Sequence, residues 1–251
     1  MLSAAKIKLI HSLAHKKFRI ESGLFLAEGI KLIDDLNGRF DCVLLAATEE
    51  WYESRHSFKA EQNYTVTPEE LRKASLQQAP QEVLGLYRIP YDRIEGNEAE
   101  KDLCLALDGL QDPGNMGTIV RLADWFGIEH IFCSHNTVDI YNPKSVQATM
   151  GAIARVKVHY VELADFIGSQ SVTVPVYGTF MDGNDIYSDR LSRNGIVIMG
   201  NEGSGISDGI SKMVTHRIGI PNFPKGRDTS ESLNVAMAAS IICSEFRRRL
   251  R

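Results

Sequence analysis

The stretch "LDGLQDPGNMGTIVRLADWFG", residues 107–127, decides how the chain folds. A strand end, a glycine-bearing loop and a helix follow one another in it, the order that cradles a nucleotide phosphate in parallel α/β proteins. The glycines stand elsewhere. Gly109, Gly114 and Gly117 make no dinucleotide pattern, and no Lys-Ser or Lys-Thr follows to make a phosphate loop. The polar residues on offer are Asn115 and Arg121. Ile119, Leu122, Ala123 and Phe126 form one apolar stripe that should face a sheet, so Arg121 projects from the opposite side. The missing GxGxxG pattern argues against a nicotinamide oxidoreductase.

Outward from this stretch, "LCLAL" (103–107), "HIFCS" (130–134), "VKVHYV" (156–161), "VPVYGTFM" (174–181), "GIVIMG" (195–200) and "HRIGIP" (216–221) alternate with helical or loop segments. Such β-rich runs between helices predict a mainly parallel sheet covered on both faces, followed by a last helix near 232–249. Upstream, "YDRIEGNEAEKDL" (91–103) is polar, acidic and glycine-bearing, and reads as a linker. Before it the pattern predicts helices near 3–13, 29–37 and 68–76 and strands near 40–46, 63–66 and 83–88, a small α/β domain. The expected division is residues 1–93, a linker over 94–102, and residues 103–251.

With 43% hydrophobic residues, 251 residues can bury a sizeable core. The 28 Lys plus Arg against 32 Asp plus Glu leave a net charge of -4, so any anionic partner must meet a local patch. One candidate is Lys6, Lys8, Lys16, Lys17 and Arg19, all before the first acid, Glu21; another is Arg247, Arg248, Arg249 and Arg251. Each fits a solvated helix face as well as a binding patch. Cys42, Cys104, Cys133 and Cys243 lie far apart without CxxC spacing, which points away from disulfides and zinc and toward a reducing, cytoplasmic setting. The seven histidines make no HExxH or other clustered ligand set, so no metal is expected. No segment has the length of a membrane span, and the N-terminus has no continuous apolar run of the kind that directs export.

In open parallel sheets ligands sit beyond the carboxyl ends of strands. Four polar loops fall there: 108–117, 177–185, 200–207 and 220–234. The loop at Gly200, Gly203 and Gly205 lets backbone approach a ligand closely, and its one charge is Glu202. That carboxylate repels a triphosphate and suits a cationic, adenine-bearing ligand such as S-adenosylmethionine. The same loop also fits a tight turn before a helix capped by Ser207. Ser230, Ser232 and Asn234 fit helix caps, Asn115 a turn residue, and Arg121 a solvated helical arginine.

Taken in order, "GNMGTIVRLADWFG", "YNPKSVQATMGA", "MGNEGSGIS" and "IPNFPKGRDTSESLNVAMAASI" resemble the SpoU/TrmH family of RNA ribose 2′-O-methyltransferases, within the SPOUT superfamily. The resemblance spans residues 103–248, and "IKLIHSLAHKKFRIESGLFLAEGIKLI" is similar to the family's RNA substrate-binding domain. It implies a methyltransferase domain with a deep trefoil knot from about Gly195 into the last helix, and a homodimer with the site near the subunit interface. It implies S-adenosylmethionine as methyl donor, with Thr179, Gly200, Ile220 and Leu233 at cofactor-binding positions. It places Asn115, Arg121, Glu202, Ser232 and Asn234 at catalytic positions, around an RNA ribose and its phosphate. A guanidinium stays protonated in proteins, so Arg121 is read as an electrostatic activator and phosphate clamp rather than a base. Ribosomal RNA is the preferred substrate; transfer RNA, or a non-catalytic RNA-binding factor on the same fold, are the alternatives. One departure is the long, basic "NFPKGRDTSE", whose Lys225 and Arg227 either reach RNA or alter how the cofactor is covered.

Overall fold

The computed structural model describes residues 2–55, 58–224 and 232–250. Lys225, Arg227 and Ser230 lie outside the described residues, as does Arg251. In chain order the elements are α1 (Ala4–Ser12), α2 (Lys16–Ser22), β1 (Leu24–Glu28), α3 (Ile30–Leu36), β2 (Cys42–Ala47), α4 (Glu49–Ser54) and β3 (Gln62–Thr65). There follow α5 (Pro68–Ala74), β4 (Val83–Arg88), α6 (Glu98–Lys101), β5 (Leu103–Leu107), α7 (Pro113–Trp125), β6 (His130–Cys133) and α8 (Pro143–Ala148). The chain closes with β7 (Lys157–Tyr160), α9 (Leu163–Gly168), β8 (Val176–Asp185), β9 (Gly195–Met199), α10 (Asp208–Ser211), β10 (His216–Gly219) and α11 (Val235–Arg248). They form two compact units, Met1–Tyr91 with Asp139–Ala154, and Asp92–Val138 with Arg155–Arg251.

The first unit is built on a four-stranded sheet of order β1-β4-β2-β3. Strand β4 runs antiparallel to both β1 and β2, and β3 lies parallel to β2. Ile10 and Leu13 from the N-terminal segment pack with Leu26, Leu44, Leu84, Leu86 and Leu71 in its core. Strand β1 and helices α2 and α4 are additions to the sequence reading. Strand β1 is buried at every position, so it shows no alternation. Helix α2 buries a single residue, Arg19, and so carries no apolar stripe.

Arg19 is a correction to the first basic cluster. Its guanidinium donates to Asp139 Oδ2 from Nε at 2.8 Å and Nη2 at 2.6 Å, and to the Leu13 carbonyl from Nη1 at 2.7 Å. The side chain is buried, so it serves the unit's interior rather than a surface patch. The same ion pair, with α8 packed on β1, holds residues 139–154 in this unit rather than with the rest of 103–251.

The second unit carries a six-stranded sheet of order β10-β8-β9-β5-β6-β7, every adjacent pair parallel. All six apolar runs of the sequence are its strands. Side chains alternate across it: Cys104, Ala106, Phe132, Ile196 and Ile198 face Phe166, Ile167 and Ile210 on one side. Helices α7 and α11 pack together, with Met116, Ile119, Val120, Ala239 and Ile242 buried. Phe126, expected on the buried stripe, is the half-buried C-cap of α7. Residues 94–102 depart from the linker reading: they include α6, whose Ala99 enters the core while Glu98 accepts the Glu95 and Gly96 amides.

Three of the C-terminal arginines, Arg247, Arg248 and Arg249, are likewise structural. Arg247 donates to the Phe126 and Gly127 carbonyls at 2.7 and 2.9 Å and pairs with Asp102 at 3.0 Å. Arg249 donates to the Ile186 and Asp189 carbonyls, and both Arg248 and Arg249 pair with the buried Glu245 at 2.7 Å. The hydrogen bond from Arg248, aided by that from Arg249, holds the Glu245 carboxyl down at about 2 from its ordinary 4.5. A depressed carboxylate stabilises the fold above its unfolded pKa, and that contribution disappears as pH falls through the folded value. Between pH 4.5 and 2 the wild-type melting temperature should therefore fall more steeply than that of Glu245→Gln, which should melt lower at neutral pH. Calorimetric melts across that range would read both effects.

Candidate functional site

Strands β5 and β9 are neighbours at the centre of the second sheet, and there the chain changes direction: β6 and β7 lie on one side, β8 and β10 on the other. A crevice opens beyond the carboxyl ends of strands at such a switch point. The loop after β5 and the loop after β9 meet in it. Asn201 Nδ2 donates to the Gly109 carbonyl at 2.7 Å, and buried Asp108 accepts the Ser207 amide at 2.8 Å. The Asn201 carboxamide oxygen also accepts the Gly203 and Ser204 amides at 2.9 and 3.0 Å, which folds 201–205 into a closed turn. The sequence reading missed Asn201 and Asp108; the turn propensity of Asn before "EGSG" is the signal that marks the first.

Glu202 projects from that turn to the start of α7. Its Oε2 accepts the Gln111 amide at 3.3 Å, and its Oε1 the Asp112 amide at 3.4 Å and Asn115 Nδ2 at 3.1 Å. A carboxylate beside the unpaired amides of a helix start is favourably placed. Asn115 Oδ1 accepts Asn234 Nδ2 at 3.0 Å, and Asn234 Oδ1 caps α11 by accepting the Ala236 and Met237 amides at 3.0 and 3.3 Å. The chain of bonds has a direction, from helix cap to amide to amide to carboxylate. Each carboxamide nitrogen has a second hydrogen, free to meet a substrate. Structural and functional readings of Asn234 thus both apply: the cap fixes the oxygen, and so aims the nitrogen.

Three of the five expected catalytic residues, Asn115, Glu202 and Asn234, are joined directly. Ser232, exposed, lines the same cleft as Glu202. Arg121 stands apart, about 9 Å further along α7 and about 120° around it. It is exposed and makes no hydrogen bond or ion pair among the described residues.

Thr179, Gly200, Ile220 and Leu233 all line one cleft of about 670 Å³, a volume suited to a nucleoside-sized ligand. Thr179 Oγ1 is engaged with the Ile198 carbonyl at 2.9 Å, so its contribution is to shape the wall. Phe180 and Met181, from a bulge of β8, add apolar wall that the sequence reading did not single out. Backbone of 218–221 and side chains Val235, Ala238 and Ile242 complete the lining, and Glu202 is its one charged residue among those described. An adenosyl group with a cationic centre fits that donor set; a polyphosphate does not. Among the described residues no three His, Cys, Asp or Glu side chains gather as a metal set, and no helix is long and apolar enough to cross a membrane.

Comparison with known proteins agrees with this geometry. Residues 102–244 match the model of the SpoU rRNA Methylase family, and residues 4–85 that of the MRM3-like substrate binding domain. The chain is 26% identical to the 23S rRNA (guanosine(2553)-2′-O)-methyltransferase RlmP of Bacillus subtilis, over 96% of each chain. A solved structure from the TrmH RNA methyltransferase family of Porphyromonas gingivalis superposes with a TM-score of 0.88 at 36% identity, over 99% of both chains. The AdoMet-bound rRNA methyltransferase of Sinorhizobium meliloti superposes with a TM-score of 0.85 at 28% identity, over 100% of this chain and 97% of that one.

The turn itself dictates one glycine. A Cβ at Gly200 would lie 2.3 Å from the Gly205 carbonyl carbon and 2.4 Å from the Ile206 nitrogen, whereas at Gly203 the nearest atom is 3.6 Å away. Gly200→Ala should destabilise the protein by about 1–3 kcal/mol, as overpacking does, and Gly203→Ala by less than about 0.5 kcal/mol. Denaturant titration of the pair would check the contrast.

Proposed function

The chain belongs to the SpoU rRNA methylase family, and on that footing we propose that it transfers a methyl group from S-adenosylmethionine to a ribose 2′-hydroxyl of ribosomal RNA. The observation that carries the reading is the Asn115–Glu202–Asn234 network standing on the rim of a cleft whose one charge, among the described residues, is a carboxylate. When bound, S-adenosylmethionine supplies an electrophilic methyl group on a sulfonium.

The protein's own share is orientation and charge stabilisation. Asn115 and Asn234 present amide hydrogens whose direction is set by the α11 cap, and so hold the ribose. Ser232 adds a hydroxyl at the same rim. Glu202 holds the start of α7 in place and faces the cationic end of the cofactor. Arg121 clamps the adjacent phosphate and stabilises the developing alkoxide, which a fixed guanidinium does without giving up a proton. Thr179, Gly200, Ile220 and Leu233 hold the adenosyl moiety.

Arg121 reaches such a role through a second copy of the chain. It shares its face of α7 with Trp125, which is 84% exposed, and the adjoining α11 exposes Met237. A large aromatic left bare on a helix pair is the composition of a protein contact. We propose that a homodimer forms there and brings Arg121 to the partner's cleft. In this scheme the first unit recognises RNA and the second performs the transfer, with the segment from Gly195 into α11 as the knotted stretch. The four cysteines are free and buried, in keeping with a cytoplasmic setting.

The direct test is to incubate purified protein with labelled S-adenosylmethionine and either ribosomal or transfer RNA, then map alkali-resistant 2′-O-methyl positions. One ribosomal position should be labelled; labelling of transfer RNA alone would overturn the substrate assignment. Arg121→Ala should lower turnover by about 10²–10³-fold, the usual effect of removing one charge-stabilising donor, with cofactor affinity unchanged. Trp125→Asp should sediment as a monomer; a wild-type mass for it would remove the proposed interface.

A further inference from the structure

The apolar wall that β8 gives the cleft comes from an irregular stretch of that strand. Strands β8 and β10 pair in parallel up to Gly178↔Arg217, and the next pairing is Asn184↔Ile218, so residues 179–183 have no counterpart on β10. Thr179, Phe180 and Met181 of that stretch line the cleft. Taken out of the ladder, they have to be fixed by other contacts. Backbone packing supplies one: a Cβ at Gly183 would lie 2.3 Å from the Ile218 carbonyl carbon, and one at Gly219 2.7 Å from the Phe180 carbonyl oxygen. Arg217 supplies another. Its guanidinium carbon lies 3.5 Å from the centroid of the Phe180 ring, and its Nη2 donates to Asp182 Oδ1 at 2.7 Å. Gly178, the register partner of Arg217, makes room for this arrangement, because a Cβ there would lie 2.6 Å from Phe180 Cε2. The ring lies back against the strand it leaves, packed on the sheet's apolar cluster, and the guanidinium covers it.

We infer that Arg217 is a positioning residue for the cofactor cleft: by gripping Phe180 and Asp182 together it fixes the 179–183 wall on which the adenosyl group lies. The inference rests on the S-adenosylmethionine reading above. Arg217 is not among the residues that line the cleft, so its effect passes through Phe180. Of its two grips the stacking is the stronger. Phe180 is half-buried, and a cation over an aromatic ring gains as water is withdrawn, whereas Asp182 is 79% exposed and its ion pair is screened. With Phe180 on its face and Asp182 on one nitrogen, the Arg217 fork is occupied within its own unit.

The test uses the full chain. Calorimetric titration with S-adenosylmethionine should give Arg217→Ala a Kd about three- to tenfold above wild type, the size of a partly exposed cation–π contact. Its kcat at saturating cofactor should be unchanged. Asp182→Asn should weaken cofactor binding about twofold, as loss of an exposed ion pair does. Arg217→Lys, which keeps a cation for both partners, should recover most of the affinity lost in Arg217→Ala. A further readout needs no cofactor: chymotrypsin cleavage after Phe180, identified by mass, requires the ring to leave Arg217. It should be about three- to tenfold faster in Arg217→Ala, because cleavage follows the population of the open form. Wild-type cofactor affinity in Arg217→Ala would overturn the assignment, as would an unchanged cleavage rate after Phe180 or a fall in kcat as large as the loss of affinity. Weaker binding of ribosomal RNA with cofactor affinity intact would give Arg217 to the RNA instead. Failure of the wild type to bind S-adenosylmethionine, with the cleavage contrast present, would fault the methyl-donor reading and leave Arg217 as the residue that fixes this wall.

Discussion

The parallel pairing of β5 with β9, from Leu103↔Gly195 to Leu107↔Met199, is the constraint from which the site follows. It puts the ends of two strands, distant in the chain, side by side at a switch point of the sheet, with β6 and β7 to one side and β8 and β10 to the other. The loops leaving those ends cannot diverge. Asp108 donates its amide to the Met199 carbonyl at 2.9 Å and accepts from Ser207, while Asn201 reaches back to Gly109. Glu202 is thereby carried to the start of α7, where three donors await it. A shift of one residue in the β5–β9 register would turn the buried faces over and separate this set, so the core and the chemistry demand the same register.

Basic residues divide by type as well as by place. Arg19, Arg247 and Arg249 are each held by a carboxylate together with backbone carbonyls, contacts that match the rigid fork of a guanidinium. Lys8 and Lys17 remain exposed as compact charges on flexible stems, Lys17 beside Glu21 at 3.8 Å. Other arginines are left exposed, Arg72 on α5 and Arg121 on α7 among them. The Arg121 guanidinium has no hydrogen-bond or ion-pair partner among the described residues.

Much of the second unit was legible because its strands are short unbroken apolar runs and its helices carry one apolar stripe. The misses have physical causes. Helix α2 buries only Arg19 and α4 only Trp51, so neither shows a period. Arg19 finds its acid 120 positions away, beyond the reach of any local pattern, and the basic cluster therefore looked wholly external. Residues 94–102 look like a linker by composition, yet Ala99 is taken into the core and Glu98 ties its own turn. The site residues could be named from motif resemblance, but their joining could not. Asn115 meets Glu202 across 87 positions and Asn234 across 119, distances closed only by the strand order.

Asn234 shows why capping and chemistry need not compete for one side chain. At a helix start Asn, Asp, Ser and Thr all supply an accepting oxygen. Here the residue must also donate to Asn115, whose own nitrogen is committed to Glu202. An aspartate would cap α11 but set a second carboxylate into a network that already ends in one, and Asn115 would have to turn its nitrogen away from Glu202. A serine reaches less far and has one hydrogen to give. An amide alone accepts from the helix with one atom and donates to the network with the other. The cap makes the donor's direction a consequence of the backbone.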